Sequence, residues 1–208
     1  VQDAVTLTQA VPVRSRVSTG VAGLDNVVSG GLEPGRVYLV EGTPGTGKTT
    51  LSLQFLMAGR AAGERTLYVT LSESEAELST VAASHGWTLD GVDIFELINE
   101  VGLAPDLEQT VLHPSELELG ETARGVMDRV EAVQPTRVVF DSLSEMRMLA
   151  QSPLRYRRQV LALKHFFTQR GCTVLLLDDR TGTNTDLQLH SIAHGVVTLE
   201  QLALDYGA

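Results

Sequence analysis

The sequence predicts an α/β protein, a three-layer α/β/α sandwich with a mostly parallel central sheet whose C-terminal strands are open to antiparallel pairing. Short apolar, β-branched runs alternate along the chain with longer segments whose apolar residues recur at helical spacing. The 208 residues, 43% of them hydrophobic and 20% charged, are enough for one sizeable core. We therefore expect a leader at residues 1–17 and a single domain over residues 18–208.

The first half of the chain contains three of the expected strands. Glycines bound the first apolar run, and a serine followed three residues later by a glutamate indicates a capping box before a helix. The predicted elements are a turn and short helix over 18–25, a strand over 37–41, a helix over 48–62, a strand over 66–71, a helix opened by the capping box Ser72/Glu75 and running to His85, and a strand over 93–98.

The second half continues the alternation after an irregular stretch at residues 99–119, which contains two prolines. Val126, Val130 and Val133 indicate a helix that ends at Pro135. The remaining predicted elements are a strand over 137–141, a helix around residues 160–167 that ends before Gly171, a strand over 173–177 and a strand over 195–200.

Composition and charge narrow the location and the partners. The chain has no apolar run long enough to span a membrane, no secretory signal and one cysteine, Cys172, so we expect a cytoplasmic protein and a buried core thiol. Sixteen basic residues against 26 acidic ones give a net charge of −10. DNA is an unlikely main partner, because non-specific DNA binding depends on neutralising phosphates with Lys and Arg.

One segment matches the pattern G-x-x-x-x-G-K-[ST] at the junction of a predicted strand and helix. Its glycines let main-chain N–H groups surround a polyanion, and the positive end of the following helix points at the same phosphates. Lys48, expected to be an exposed loop charge, would reach the β- and γ-phosphates, and the Thr49 hydroxyl would hold Mg²⁺. The predicted phosphate-binding residues are Gly42, Thr43, Pro44, Gly45, Thr46, Gly47, Lys48, Thr49 and Thr50.

Carboxylates follow two predicted strands where the strands end. Asp141 is placed to hold Mg²⁺ and act in catalysis, and Glu73 to orient or deprotonate a water that attacks a phosphate. Ser142 is expected either to contact the γ-phosphate or to cap the next turn. Glu75 and Glu77 fall inside the predicted helix and are weaker candidates for the base.

Three side chains spaced four apart, Asp186, His190 and His194, suggest a metal site on one helical face. The following glycine and β-branched run argue against that helix, and zinc usually requires more or better placed ligands. We interpret the two histidines as surface or interface residues.

The sequence resembles the KaiC-like branch of the RecA-type ATPases over roughly residues 18–200. The segments that carry the resemblance are residues 18–25, 30–35, 41–55, 68–73, 114–117 and 139–144. The resemblance implies a RecA-like fold, Mg²⁺-dependent ATP binding and hydrolysis with Lys48, Glu73 and Asp141 as catalytic residues, and a homo-oligomer, a hexameric ring with nucleotide between subunits. It also implies a role in signalling or timing through protein partners.

The chain departs from the family pattern at three places. Ser72-Glu73 leaves one glutamate where the clock protein of the family has two, and His194 replaces an aspartate. No basic residue follows Arg180, whereas family members place a basic segment after the last strand, so we expect a domain truncated at its C-terminal strands and a slow ATPase. Arg155, Arg157 and Arg158 form the densest basic cluster, a weak substitute for that segment.

The resemblance leaves alternatives open. The first is a Ser/Thr autokinase that modifies its own hydroxyl groups, with Thr185 and Ser191 as candidates. The second is a recombinase-like DNA-dependent ATPase, which the net charge opposes. The third is a nucleotide-gated binding module for signalling partners, in which turnover is incidental.

Overall fold

A computed structural model of the chain describes residues 15–97, 114–150, 152–180 and 187–202. The six strands in these ranges form one sheet in the order β3-β2-β4-β5-β1-β6, and every pairing is parallel. The strands are β1 Val37–Gly42, β2 Thr66–Thr70, β3 Asp93–Glu96, β4 Arg137–Asp141, β5 Thr173–Asp179 and β6 Gly195–Leu199.

Helices cover both faces of this sheet. They are α1 Ala22–Val27, α2 Lys48–Ala61, α3 Glu75–Ser84, α4 Pro114–Val133, α5 Leu143–Ala150, α6 Pro153–Gln169 and the single turn α7 Leu187–His190. Successive residues of the central strands point to opposite faces, so Val138 and Phe140 pack with α4 to α6 while Val139 packs with α2 and α3. The predicted three-layer α/β/α sandwich is confirmed.

The last described strand runs parallel to its neighbour, so antiparallel pairing at the C-terminal end is not found in the described residues. β6 pairs with β1 from Tyr38↔Gly195 to Gly42↔Leu199. The chain leaves β5 at the carboxyl edge of the sheet and returns to the amino edge before β6 begins. There the His194 main-chain N–H donates to the Val37 carbonyl at 2.8 Å, which fixes the parallel start of β6.

Helices α4 and α5 differ from the sequence-based expectation. The stretch expected to be irregular ends earlier, since α4 begins at Pro114. Proline has no N–H, and the first helical turn tolerates it because an N–H at that position would have no partner within the helix. Residues 99–113 lie outside the described ranges. Helix α5 was not predicted. Its buried residues Leu143, Met146 and Ala150 follow helical spacing, but eight residues are too few for a clear periodic pattern.

The capping box of α3 lies two residues later than predicted. Ser74, and not Ser72, is the N-cap: its Oγ accepts from the Glu77 N–H at 3.3 Å, and a Glu77 carboxylate oxygen accepts from the Ser74 N–H at 2.8 Å. The Thr70 hydroxyl holds Ser72 and Glu73 in a turn, because Oγ1 accepts from the Glu73 N–H and donates to the Glu73 carbonyl. The helix therefore starts only after this turn.

A buried arginine joins α2 to the amino end of β4. Arg137 is 2% exposed and donates two hydrogen bonds to the Glu64 carboxylate, at 2.7 and 2.9 Å. The same guanidinium donates to the carbonyls of Ser18 and Phe55, at 2.6 and 2.9 Å. These hydrogen bonds lower the pKa of Glu64, although burial opposes them. The contacts fix the helix that follows the glycine-rich loop against the sheet.

The position of the α3 cap can be tested by comparing two serine substitutions. Ser74→Ala is expected to lower the free energy of unfolding by about 1 kcal/mol, because an N-cap hydroxyl is lost. Ser72→Ala serves as the control and is expected to change it by less than about 0.5 kcal/mol, as an exposed position outside the cap does. Urea denaturation followed by circular dichroism measures both values. The reverse order of the two effects would place the cap at Ser72.

Candidate functional site

The glycine-rich loop connects β1 to α2 at the carboxyl edge of the sheet. Gly45 and Gly47 have φ values of +83° and +93°, a conformation that side chains with a Cβ disfavour. A Cβ on Gly42 would lie 2.5 Å from the Thr46 hydroxyl oxygen and 2.6 Å from the Leu199 carbonyl oxygen. The Thr46 hydroxyl donates to the Thr43 carbonyl at 2.8 Å and closes the loop. The first amides of the 14-residue helix α2, which follows this loop directly, have no partners within the helix.

Lys48 is buried within this loop, so the expectation of an exposed loop charge is wrong. The residue is 8% exposed, and its ammonium donates to the carbonyl oxygens of Gly42 and Thr43 at 3.0 and 3.1 Å. The ammonium also forms an ion pair with Asp179, with 2.8 Å between Nζ and Oδ1. Burial follows from position, because Lys48 is the first residue of α2 and points back under the loop. Removing it would affect stability, because the Asp179 carboxylate would lose its partner.

Asp141, at the end of β4, is 8% exposed and accepts a hydrogen bond of 2.6 Å from the hydroxyl of the fully buried Tyr68. Burial raises the pKa of Asp141; the Tyr68 hydrogen bond and the charge of Lys48 oppose this, and the charge of Asp179 adds to it. The pKa of Tyr68 is raised well above its usual value by burial and by Asp141, while a hydrogen bond with the Thr49 side chain acts in the other direction. The Tyr68 phenol thus holds one predicted magnesium ligand, Asp141, and lies near the other, Thr49.

Glu73 lies in the turn that the Thr70 hydroxyl closes after β2. Its Oε2 atom is buried and has no hydrogen-bond partner among the described residues. Burial raises the pKa of Glu73, and the negative charges of Asp141, Glu77 and Asp179 add to the effect. A carboxylate with a raised pKa and a free oxygen is suited to accept a proton.

The structure thus brings most of the predicted site residues to one edge of the sheet. Thr49 and Thr50 are half-buried in the first turn of α2, and Ser142 is 3% exposed directly after Asp141. The Ser142 carbonyl accepts from the Met146 N–H at 3.4 Å, which places Ser142 at the start of α5. The Glu77 carboxylate is engaged in the α3 cap, and Glu75 is exposed, so Glu73 stays the predicted base.

Two residues of the site were missed at the level of sequence. Asp179 lies at the end of the apolar run of β5, and an aspartate at the end of such a run is the pattern that identified Asp141. Two adjacent aspartates, Asp178 and Asp179, fit that pattern here, and the sequence does not distinguish between them. The Asp178 carboxylate binds Ser144 and Arg147, whereas Asp179 faces Lys48. The role of Tyr68 could not be predicted, because tyrosine is common in strands and its partner Asp141 becomes evident only from the fold.

The histidines considered as metal ligands have separate partners. His190 Nε2 lies 2.9 Å from the buried Glu41 carboxylate, near the start of the loop, and His194 Nδ1 accepts from the Val37 N–H at 3.0 Å at the amino edge. Asp186 and Thr185 lie outside the described residues, and within the described ranges no three His, Cys, Asp or Glu side chains are grouped as metal ligands. The Ser191 hydroxyl accepts from Arg157 at 3.3 Å. Cys172 is buried in the core, as predicted.

The parallel sheet, the glycine-rich loop between β1 and α2, and the lysine and carboxylates at the carboxyl edge define the class of RecA-type nucleotide-binding domains. The sequence model described as "ATPase: KaiC" matches residues 17–206. The chain therefore belongs to the KaiC-like ATPase family. In the part of the chain that the structure describes, no helix combines the length and apolarity needed to cross a membrane.

Similarities to individual proteins and to a solved structure are consistent with this family. A UPF0273 protein of Thermotoga maritima is 29% identical over 91% of this chain and 80% of its own length, and one of Methanopyrus kandleri is 30% identical over 91% and 77%. The circadian clock oscillator protein KaiC of Thermosynechococcus vestitus is 29% identical over 79% of this chain but only 32% of its own length. The crystal structure of a KaiC-like protein from Pyrococcus horikoshii superposes with a TM-score of 0.70, at 26% identity over 88% of this chain and 79% of that one.

The hydrogen bond between Tyr68 and Asp141 can be tested by stability. Tyr68→Phe is expected to lower the free energy of unfolding at neutral pH by about 1–3 kcal/mol, because a buried carboxylate loses its donor. Tyr38→Phe is the matched control: that hydroxyl contacts the Glu33 main chain at an exposed place, where water replaces it, so we expect about 1 kcal/mol or less. Guanidinium denaturation measures both. Equal small losses would show that the Tyr68 hydroxyl does not hold Asp141.

Proposed function

We propose that the chain binds ATP with Mg²⁺ and hydrolyses it to ADP and phosphate. The observation that carries this proposal is the position of the Lys48 ammonium inside the glycine-rich loop, on the same edge of the sheet as Asp141 and Glu73. A cation beneath a loop of main-chain donors suits the phosphates, and the carboxylates suit a metal ion and a water. Membership of the KaiC-like ATPase family supports the same function.

The loop fits the phosphates of ATP. Gly42 lies where a Cβ would collide with the loop itself, and the left-handed Gly45 and Gly47 keep the concave side of the loop free of side chains. The main-chain N–H groups of residues 43–49 and the Lys48 ammonium would hold the β- and γ-phosphates. Thr50, half-buried one residue further along α2, adds a hydroxyl near the same place.

The donor set fits Mg²⁺, which prefers hard oxygen ligands and keeps several waters. The Thr49 hydroxyl, in the first turn of α2, and the Asp141 carboxylate, held by Tyr68, would be the oxygen donors to the ion. The bound ion would neutralise negative charge on the phosphates. Ser142, buried beside Asp141, is proposed to contact the γ-phosphate.

In hydrolysis, Glu73 would orient the attacking water and accept its proton at Oε2, the carboxylate oxygen with no partner among the described residues. The raised pKa of Glu73, caused first by burial, makes the carboxylate a stronger base than an exposed glutamate. Lys48 would stabilise the negative charge that moves to the oxygen between the β- and γ-phosphorus atoms.

The resemblance to KaiC extends the proposal to assembly. We propose that residues 18–208 act as one ATPase domain in a homo-oligomeric, hexameric ring with nucleotide between subunits, in which turnover serves signalling or timing with protein partners. The match with KaiC of Thermosynechococcus vestitus covers 32% of the length of that protein.

The experiment that tests this function compares Glu73→Gln with the parent chain. The variant is expected to bind ATP with the parent's affinity but to release phosphate about 10²–10⁴-fold more slowly, because the positioned base is lost. Glu121→Gln, at an exposed position on α4, controls for loss of one glutamate charge and is expected to retain parental turnover. Calorimetric titration measures binding, and a phosphate-release assay with MgATP measures turnover.

The two measurements test different parts of the proposal, the role of Glu73 and the binding of ATP. Parental turnover in Glu73→Gln would contradict the role of Glu73 while leaving nucleotide binding intact. Absence of ATP binding by the parent chain would contradict the proposed function as a whole.

A further inference from the structure

The Lys48 ammonium has three N–H donors, and each has a partner within the protein. Two donors bind the carbonyl oxygens of Gly42 and Thr43, and the third lies 2.8 Å from a carboxylate oxygen of Asp179. Of these three partners only Asp179 carries a charge. A phosphate that binds Lys48 must therefore take the place of at least one of them, and the carboxylate is the partner that a phosphate group resembles in charge.

The main chain at Asp179 is held in place by contacts with Ser144 and with the start of the loop. Its position at the end of β5 is in register with Gly42, the first residue of the loop. Its main-chain N–H donates to the Ser144 hydroxyl at 2.9 Å, and the next N–H, of Arg180, donates to the Gly42 carbonyl at 3.0 Å. The Asp179 side chain is one-third exposed, which leaves it free to move towards solvent when Lys48 is released.

We propose that Asp179 is an internal competitor for the phosphate-binding lysine, so that its displacement from Lys48 is part of nucleotide binding and sets the affinity for polyphosphate. This inference rests on the proposed function. The Lys48 side chain is 9% exposed, so solvent and salt screen the pair less than they screen a surface ion pair. The apparent affinity is the intrinsic affinity multiplied by the fraction of molecules in which Lys48 is already released, so the ion pair with Asp179 weakens binding.

The charge of Asp179 adds a second, longer-range effect. Burial is the main cause of the raised pKa of Glu73 and of Asp141, and the Asp179 carboxylate contributes to both. Three carboxylates therefore act on the place where phosphates would lie, and the Lys48 ammonium, which contacts Asp179, opposes their charge. Removing one of the three would favour any polyanion at this edge of the sheet.

The test measures binding of inorganic tripolyphosphate by isothermal titration calorimetry, in EDTA so that no metal ion bridges the carboxylates. Asp179→Asn keeps the shape of the side chain without its charge and is expected to bind roughly tenfold more tightly than the parent. Asp128→Asn, an exposed aspartate on α4, controls for net charge and is expected to bind like the parent. Asp179→Glu restores the charge and is expected to bind no more tightly than the parent.

The outcomes separate this inference from the function on which it rests. If the parent binds tripolyphosphate and Asp179→Asn binds equally or more weakly, the inference is overturned and the phosphate site stands. If Asp128→Asn gains affinity as Asp179→Asn does, net charge explains the gain and the inference is again overturned. No binding by the parent or any variant would overturn the phosphate site and the inference together. Asp179→Ser gives the same comparison if Asp179→Asn does not fold.

Discussion

A buried ammonium must have partners for all its donors, and the carboxyl edge of this sheet is arranged around that requirement. Lys48 opens α2 beneath the loop, so its charge lies where water supplies little solvation, and Asp179 and two loop carbonyls replace that water. The pairing of β1 with β5 puts Asp179 beside the loop. Asp141 and Glu73 lie at the same edge because parallel strands all end there. The repulsion between these two carboxylates lowers the stability of the fold, and the same negative charge attracts cations.

Contacts at the opposite edge keep this arrangement in place. Arg137 begins β4, the strand that ends in Asp141, and its guanidinium holds the Phe55 carbonyl in the middle of α2. One residue thus connects the strand that carries a predicted metal ligand with the helix that carries Lys48 and Thr49. The Arg137 guanidinium donates to partners on several elements, so the strand and the helix that flank the loop are held rigidly. A phosphate site with precise geometry requires such rigid supporting elements.

The sequence was sufficient for the sheet and the loop, because buried parallel strands are continuous apolar runs and the glycine–lysine spacing has few other uses. It failed where local patterns compete: Ser72/Glu75 and Ser74/Glu77 both read as capping boxes, and only the Thr70 turn decides between them. The partners of Lys48 and Asp141 could not be predicted from the sequence, because each partner is distant along the chain. Lys48 and Asp179 are separated by 131 residues, and Tyr68 and Asp141 by 73. The order of the strands in the sheet decides which strand end lies beside which helix, and the pattern of residues along the chain does not specify that order.

Hydrogen–deuterium exchange with and without MgATP tests whether the loop and the carboxyl edge bind the phosphates of a nucleotide. Main-chain amides in the loop would become hydrogen-bond donors to phosphate, and the first turn of α2 would be held by the same contacts. We expect slower exchange over residues 42–50 and at the end of β4 when MgATP is present. The amino edge, around Arg137 and His194, would keep its exchange rates. Unchanged exchange over residues 42–50 at saturating MgATP would contradict the account.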